Sequence, residues 1–247
     1  MVQSIDRAMS IISLLASNTD SEWMSISDIS KRLQLPVSTV HRLLNSLISH
    51  SLVFQNPETK LYKIGCLWME IGLRELEKLD YRSVVREVMK RLSLEVEESV
   101  YFSIPDGTHA IIMERIDSPV KVRIIDKLGE RIPLHIGAAN KTILASMEIK
   151  EMELIVKKLM PVSKDSYHLC EQLFQIRKQG YAVSYSEKTE GTLSVAAPIL
   201  DFNNKVIGAL SIGVLQYRVK EERLSFLIES VKKAANEVSS SIGRISQ

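Results

Sequence analysis

One stretch, Pro36 to Ile48, constrains this chain more than any other. Its apolar residues Val40, Leu43, Leu44, Leu47 and Ile48 recur at the spacing of a single helical face. The opposite face carries Ser38, Thr39, His41, Arg42, Asn45 and Ser46 and holds no carboxylate. Pro36 suits the first turn, where a helix makes no use of the N–H that proline lacks. Such a helix buries one side and offers short hydrogen-bonding groups around one guanidinium on the other. Reading the major groove of DNA calls for this combination: hydroxyls and amides for phosphates and base edges, and an arginine that can pair bidentately with guanine. A carboxylate on that face would be repelled by the phosphate backbone.

The flanking segments extend the pattern. Residues 3–17 place Ile5, Ala8, Met9, Ile12 and Leu15 on one side of a first helix, which Asn18, Thr19 and Asp20 end. Ser25 with Asp28 reads as a capping box that opens a second helix, with Ile29 and Leu33 inward. After the third helix, Leu52-Val53-Phe54-Gln55 and Leu61-Tyr62-Lys63-Ile64-Gly65 flank the turn-rich Asn56-Pro57-Glu58-Thr59-Lys60 and predict a hairpin. Three helices and a hairpin make a winged helix-turn-helix over residues 1–65, although the same pattern also suits a small structural module. In the DNA-binding reading, Ser38 and Thr39 anchor phosphates, and Arg42 and Asn45 reach bases. Lys60 and Lys63 meet the flanking backbone. His41 either bonds a phosphate or faces solvent.

The whole chain has 247 residues and a net charge of only +2, so basicity must be local if it serves a nucleic acid. That length suits a small domain followed by a medium one. Cys66 and Cys170 lie far apart and build no disulfide framework, which points to a reducing compartment. Asp6 and Arg7 interrupt the apolar residues near Met1, and no apolar run reaches bilayer length. The expectation is a soluble, cytoplasmic protein without a membrane partner or a cofactor.

Beyond residue 65 the pattern changes. Val84, Val85, Val88, Leu92 and Val96 give a helix from about Tyr81 to Val96. Strands are expected at Ser99–Ile104, Ala110–Ile116, Val120–Ile125, Tyr181–Tyr185, Ser194–Leu200 and Val206–Val214. Helices are expected at Ala139–Met147, Ile149–Leu159, Cys170–Gln179 and Glu221–Ser241. Asp106-Gly107 marks the turn between the first two strands. A mostly antiparallel sheet with grouped helices is an α+β arrangement. The turn at His135–Ala138 leads into a helix whose free N–H groups and dipole form a ready anion site.

Leu35-Pro36-Val37-Ser38-Thr39-Val40-His41-Arg42-Leu43-Leu44 and Tyr62-Lys63-Ile64-Gly65 closely resemble the DNA-reading segment and wing end of the IclR family of bacterial transcription regulators. The resemblance continues through Gly129-Glu130-Arg131-Ile132-Pro133-Leu134-His135 with Lys141, through Arg177-Lys178-Gln179-Gly180-Tyr181-Ala182, and from Gly191 through Ala196-Ala197-Pro198-Ile199. It implies that Tyr81–Val96 is a linker helix within a linker region at 66–97, although an ordinary core helix of the second domain fits the pattern equally well. It further implies a GAF-like effector-binding domain over 98–247. The family's pocket, carried over by position, falls on Ala138 and Ala139 at a helix start and on Ser184, Ser194, Ser211 and Gly213 on strands. The implied partners are double-stranded DNA with a near-palindromic operator and a small organic acid, the chain itself forming a homodimer or homotetramer. Three departures bear on the ligand: Asn140 stands where members often have glycine, Ser184 where an acidic side chain occurs, and Gly213 where some have serine.

Other readings are open to the same residues. His168 and Cys170 would need to face each other, with an orienting group, to act as base and nucleophile. A small buried cysteine is the commoner case. His109, His135, His168 and Cys170 lack the short spacings of a metal site and would have to converge by folding. The second domain could also serve oligomerisation alone.

Overall fold

The computed structural model describes residues 2–18, 22–77, 81–160 and 164–245. The chain divides into two compact units, Met1–Asp80 and Tyr81–Gln247.

In the first unit α1 (Gln3–Ser17), α2 (Ile26–Leu33) and α3 (Val37–Ser49) are followed by β1 (Val53–Gln55), β2 (Tyr62–Ile64) and α4 (Leu67–Glu77). The α2 cap is built as its residues dictate: the Ser25 hydroxyl accepts from the Asp28 amide at 3.1 Å and donates to the Asp28 carboxylate at 2.7 Å. Gln34 ends α2 in the left-handed region at φ 54°, and Pro36 stands just before α3 as its N-cap. Strands β1 and β2 pair antiparallel, with Val53 opposite Ile64 and Gln55 opposite Tyr62. The core joins Val40, Leu43, Leu44 and Leu47 of α3 to Ile29 of α2, Val53 and Tyr62 of the hairpin, and Ile11, Ile12 and Leu15 of α1. One expected face is therefore rotated. Ile5 and Met9 are exposed, and Ile11, absent from the expected stripe, is wholly buried. With Ile11 and Ile12 adjacent, the spacing admits two overlapping faces, and packing against α3 selects one. Thr19 and Asp20, part of the expected break after α1, lie outside the described residues.

The second unit comprises α5 (Arg82–Val96), β3 (Ser99–Asp106), β4 (His109–Ile116), β5 (Arg131–Pro133), α6 (Ala138–Ser146), α7 (Ile149–Leu159), α8 (Lys164–Gln179), β6 (Ala182–Tyr185), β7 (Thr192–Leu200), β8 (Val206–Leu215) and α9 (Glu221–Ile245). The strands form one sheet in the order β5-β4-β3-β8-β7-β6, every neighbouring pair antiparallel. Alternation along β7 and β8 sorts the side chains onto two faces. Leu193, Val195, Ala197 and Ile199 of β7 and Leu210, Ile212 and Val214 of β8 pack with α5 and α9. Ala196 and Ala209 face the layer of α6, α7 and α8. The result is an α+β domain with a helical layer on each side of an antiparallel sheet.

The linker region expected at 66–97 spans the boundary between the two units, and one other expectation needs correction. Helix α4, which the sequence reading left unassigned, belongs to the first unit, whereas α5 buries Val85, Val88, Met89, Leu92 and Val96 in the core of the second. The core-helix alternative therefore describes α5. The segment Val120–Ile125 is not a strand. Its Ile124 carbonyl is taken by side chains, the Ser99 hydroxyl at 2.9 Å and the Tyr101 hydroxyl at 2.8 Å. The edge of β4 is occupied instead by β5, where Ala110 lies opposite Ile132.

Candidate effector pocket and DNA-facing helix

The exposed side of α3 presents Ser38, His41, Arg42, Asn45 and Ser46, with Thr39 half-buried. Asn45 Nδ2 lies 3.4 Å from His41 Nδ1, one helical turn away. Lys60 stands exposed at the tip of the hairpin in the left-handed region at φ 58°, and the Asn56 side chain fixes that turn by accepting from the Glu58 and Thr59 amides. Lys63 differs from Lys60. Its ammonium pairs with Glu22 at 3.1 Å and sits 4.8 Å from the centre of the Trp23 ring. A phosphate would have to compete with both contacts, so Lys60 is the more available cation.

In the second unit a narrow cavity of about 70 Å³ opens at the start of α6. Strand register assembles its floor. Ser184 pairs with Ser194, and Ser194 pairs with Gly213, so three strands contribute one row. Ala196, Ser211 and Tyr101 make the next row. The Ser184 and Ser194 hydroxyls are 2.9 Å apart, and Ser194 Oγ accepts from the Ala138 amide at 3.4 Å. All six positions expected for a pocket, Ala138, Ala139, Ser184, Ser194, Ser211 and Gly213, line this one cavity. At Gly213 an added Cβ would lie 3.1 Å from the Tyr101 ring, so the missing side chain leaves room for that ring.

Helix α6 is fixed at both ends. Gly137, its N-cap, has φ 85°, a conformation that favours glycine. Asn140 Nδ2 donates back to the Ile136 carbonyl at 2.9 Å and the Pro133 carbonyl at 3.2 Å, bracing the turn that enters the helix. Asn140 thus has a structural task where a glycine would have none. At the other end the Arg177 guanidinium caps the carbonyls of Ala145 and Met147, the favourable placement for a cation at a helix C-terminus.

Charge at the pocket comes from residues that sequence reasoning did not single out for the site. Glu187 accepts from the Gly137 amide at 2.9 Å and from Lys141 Nζ at 2.7 Å. Lys188 bridges Asp126 at 2.7 Å and Glu130 at 2.9 Å. Tyr101 lines the cavity, and burial, reinforced by the nearby Asp126 carboxylate, pushes its hydroxyl up to about 12. Burial, then the Lys141 charge, pulls the His135 imidazole down, so this ring stays neutral near neutral pH. Glu187 and Lys188 fall in a turn without periodicity and find partners tens of residues away, which is why no local pattern marks them.

Residues 73–240 match the family described as bacterial transcriptional regulator IclR C-terminal, and residues 4–57 match the IclR helix-turn-helix domain. The chain belongs to the IclR family. Among curated IclR-family relatives, the transcriptional regulator KipR of Bacillus subtilis (strain 168) is 29% identical over 98% of this chain and 97% of its own length. The transcriptional repressor AllR of Escherichia coli (strain K12) is 30% identical over 98% of this chain and 90% of its own. The IclR of Thermotoga maritima has the same fold, with a TM-score of 0.77 at 24% identity over 98% of this chain and all of that one. So does an IclR homologue of Microbacterium hydrocarbonoxydans solved with 4-hydroxybenzoate, with a TM-score of 0.79 at 21% identity over 97% and 98% of the two chains.

As a member of the IclR family the chain is a DNA-binding transcription regulator, and its relatives are regulators rather than enzymes. His168 and Cys170 both lie on α8, and the imidazole is 3.4 Å from Gln172. Burial, with Glu153 second, pushes the Cys170 thiol up, away from the thiolate that a nucleophile needs. Among the described residues, no three His, Cys, Asp or Glu side chains converge as metal ligands, and no helix is long and apolar enough to cross a membrane.

Proposed function

We propose that this IclR-family regulator reads a near-palindromic operator with α3 and that a small organic acid bound at the start of α6 alters its DNA affinity. What carries the reading is the cavity itself. Helix N–H groups, three serine hydroxyls and a buried lysine beside it make a hydrogen-bonding, anion-favouring site. The complex of the Microbacterium hydrocarbonoxydans homologue with 4-hydroxybenzoate supports the class of ligand. At the DNA, Ser38 and Thr39 hold phosphates, Arg42 and Asn45 reach base edges, Lys60 meets the flanking backbone, and Lys63 does so only by giving up Glu22. His41 is left to a phosphate or to solvent. The chain acts in the cytoplasm as a homodimer or homotetramer, with half-sites about one or two turns of DNA apart. The acid works by binding the DNA-competent and incompetent states with different affinity.

Selection of bound fragments from random DNA, at a stated salt concentration, tests the first part. An enriched inverted repeat is the expected result, and salt-sensitive binding without enrichment would refute it. With that operator in hand, Arg42→Ala is expected to cost about 1–3 kcal/mol and to relax preference at one base position. Uniform weakening on every sequence would make Arg42 a phosphate contact only. For the pocket, Ser194→Leu should fill the cavity and abolish the change in operator affinity that an effector acid causes, leaving DNA binding intact. Titration of pyruvate and 4-hydroxybenzoate against the operator complex checks this, and an undiminished response in the variant would move the ligand elsewhere.

A further inference from the structure

The start of α6 already holds a carboxylate, and it is the protein's own. Glu187 lies in the turn between β6 and β7, and one of its oxygens accepts from the N-cap amide of α6, Gly137 N, at 2.9 Å. The other accepts from Lys141 Nζ at 2.7 Å. The Lys141 side chain is only 10% exposed, against 29% for Glu187, so the ammonium is the more deeply buried of the two. Removing the partner of a buried charge is strongly unfavourable. Glu187 can therefore leave readily only when another anion takes its place.

We propose that Glu187 is a built-in competitor for the effector, which binds by exchanging its own carboxylate for that of Glu187 at Gly137 and Lys141. The inference rests on the pocket assignment above and adds to it the residue that sets the ligand's affinity. An incoming carboxylate preserves both the helix-start hydrogen bond and the counter-charge of Lys141. A neutral ligand of the same shape leaves the Lys141 ammonium with the Gln172 amide oxygen at 3.3 Å but with no counter-charge, and binds less well. The cavity, of about 70 Å³, favours a compact acid. The exchange also has a route outward. Lys188, the next residue, is tied to Asp126 and Glu130 in the segment whose Ile124 and Asp126 line the cavity. When Glu187 is displaced, the turn that carries Lys188 shifts, and those ion pairs pass the shift to that segment.

Competition of this kind has a measurable size. If Glu187 occupies the site nine-tenths of the time or more, an outside acid loses about tenfold or more in apparent affinity. The test uses acetate as the probe, titrated calorimetrically into the full chain, Glu187→Ala and Glu187→Ala with Ser194→Leu, with circular dichroism confirming the fold. The expected result is acetate binding at least about tenfold tighter to Glu187→Ala than to the unaltered chain, and lost again when Ser194→Leu is added. Should the alanine variant not fold, Glu187→Gln keeps an oxygen for the Gly137 amide and removes only the charge. It is expected to tighten acetate by a smaller factor. Equal acetate affinity with and without Glu187 would overturn the competition and leave the pocket assignment standing. No acetate binding by any form would overturn both.

Discussion

Gly65→Ala is expected to destabilise the first unit by about 3 kcal/mol or more and to remove operator binding, because the added methyl group has nowhere to go. A Cβ on residue 65 would lie 2.1 Å from the Ser51 carbonyl oxygen, 2.8 Å from the Ser51 carbonyl carbon and 2.9 Å from that of Leu52. All three are backbone atoms, and they are held from several directions. The Leu52 carbonyl accepts from Gly65 N at 3.0 Å and from the Trp68 indole at 3.0 Å. The Leu52 amide is bonded to Leu47 at the end of α3, and Ser51 itself sits at φ 58°. Room for the methyl group can be made only by separating the exit of the hairpin from the end of α3. That separation moves the hairpin relative to α3. For a unit of this size the loss corresponds to a fall in Tm of about 12 °C or more. Hydrogen exchange across residues 47–65 would accelerate while the sheet of the second unit kept its protection. An unchanged melting curve would show that the backbone approach at Gly65 is looser than this geometry.

The second large effect lies in the other unit, where Glu114 of β4 is buried beneath two arginines of α5. Its side chain is 4% exposed, with Arg82 Nε at 3.2 Å from one oxygen and Arg86 Nη1 at 2.7 Å from the other. Replacing both arginines by alanine strands a buried carboxylate, a loss that runs to about 3–5 kcal/mol when the partners are fully enclosed. Arg82 and Arg86 are 40% and 47% exposed, so water can follow them in, and about 3 kcal/mol is expected here. Adding Glu114→Met to the double variant should recover most of that stability, since an apolar side chain of similar size needs no counter-charge. Urea unfolding of the three proteins measures both steps. A double variant as stable as the parent would mean that the pair behaves as a surface ion pair, worth less than about 1 kcal/mol.

Much of the fold was legible along the chain because its signals are local. The face of α3, the Ser25 cap, the paired strands of the hairpin and the Gly107 turn each depend on residues within a few positions of one another. The same holds for β3, β4, β7 and β8, where runs of β-branched and aliphatic residues end at turn signals. The pocket positions on strands and helix start came from resemblance, and they converge on one cavity because the register aligns Ser184, Ser194 and Gly213. Nothing in their spacing alone would have united them.

Where local rules allow two answers, packing decided. Ile5 and Ile11 both fit a helical stripe, and contact with α3 buries Ile11. Val120–Ile125 has the composition of a strand, yet the Ser99 and Tyr101 hydroxyls take its Ile124 carbonyl and β5 takes the neighbouring edge. The alternatives of linker and core helix for Tyr81–Val96 are separated only by which unit buries its apolar side.

By itself, then, the sequence marked most of the helices and strands and where several of them begin and end, though not α4, β5 or the irregular course of Val120–Ile125, and it showed one amphipathic helix whose polar face suits DNA. These properties are set by steric preference and periodicity within a few turns of chain. Only the tertiary structure decided the charges at the pocket, from Glu187 on Lys141 to Lys188 on Asp126 and Glu130, and the engagement of Lys63 by Glu22. Those partners lie tens of residues apart, and a Coulombic or hydrogen-bonded pair depends on distance in space, which the order of residues along the chain does not encode.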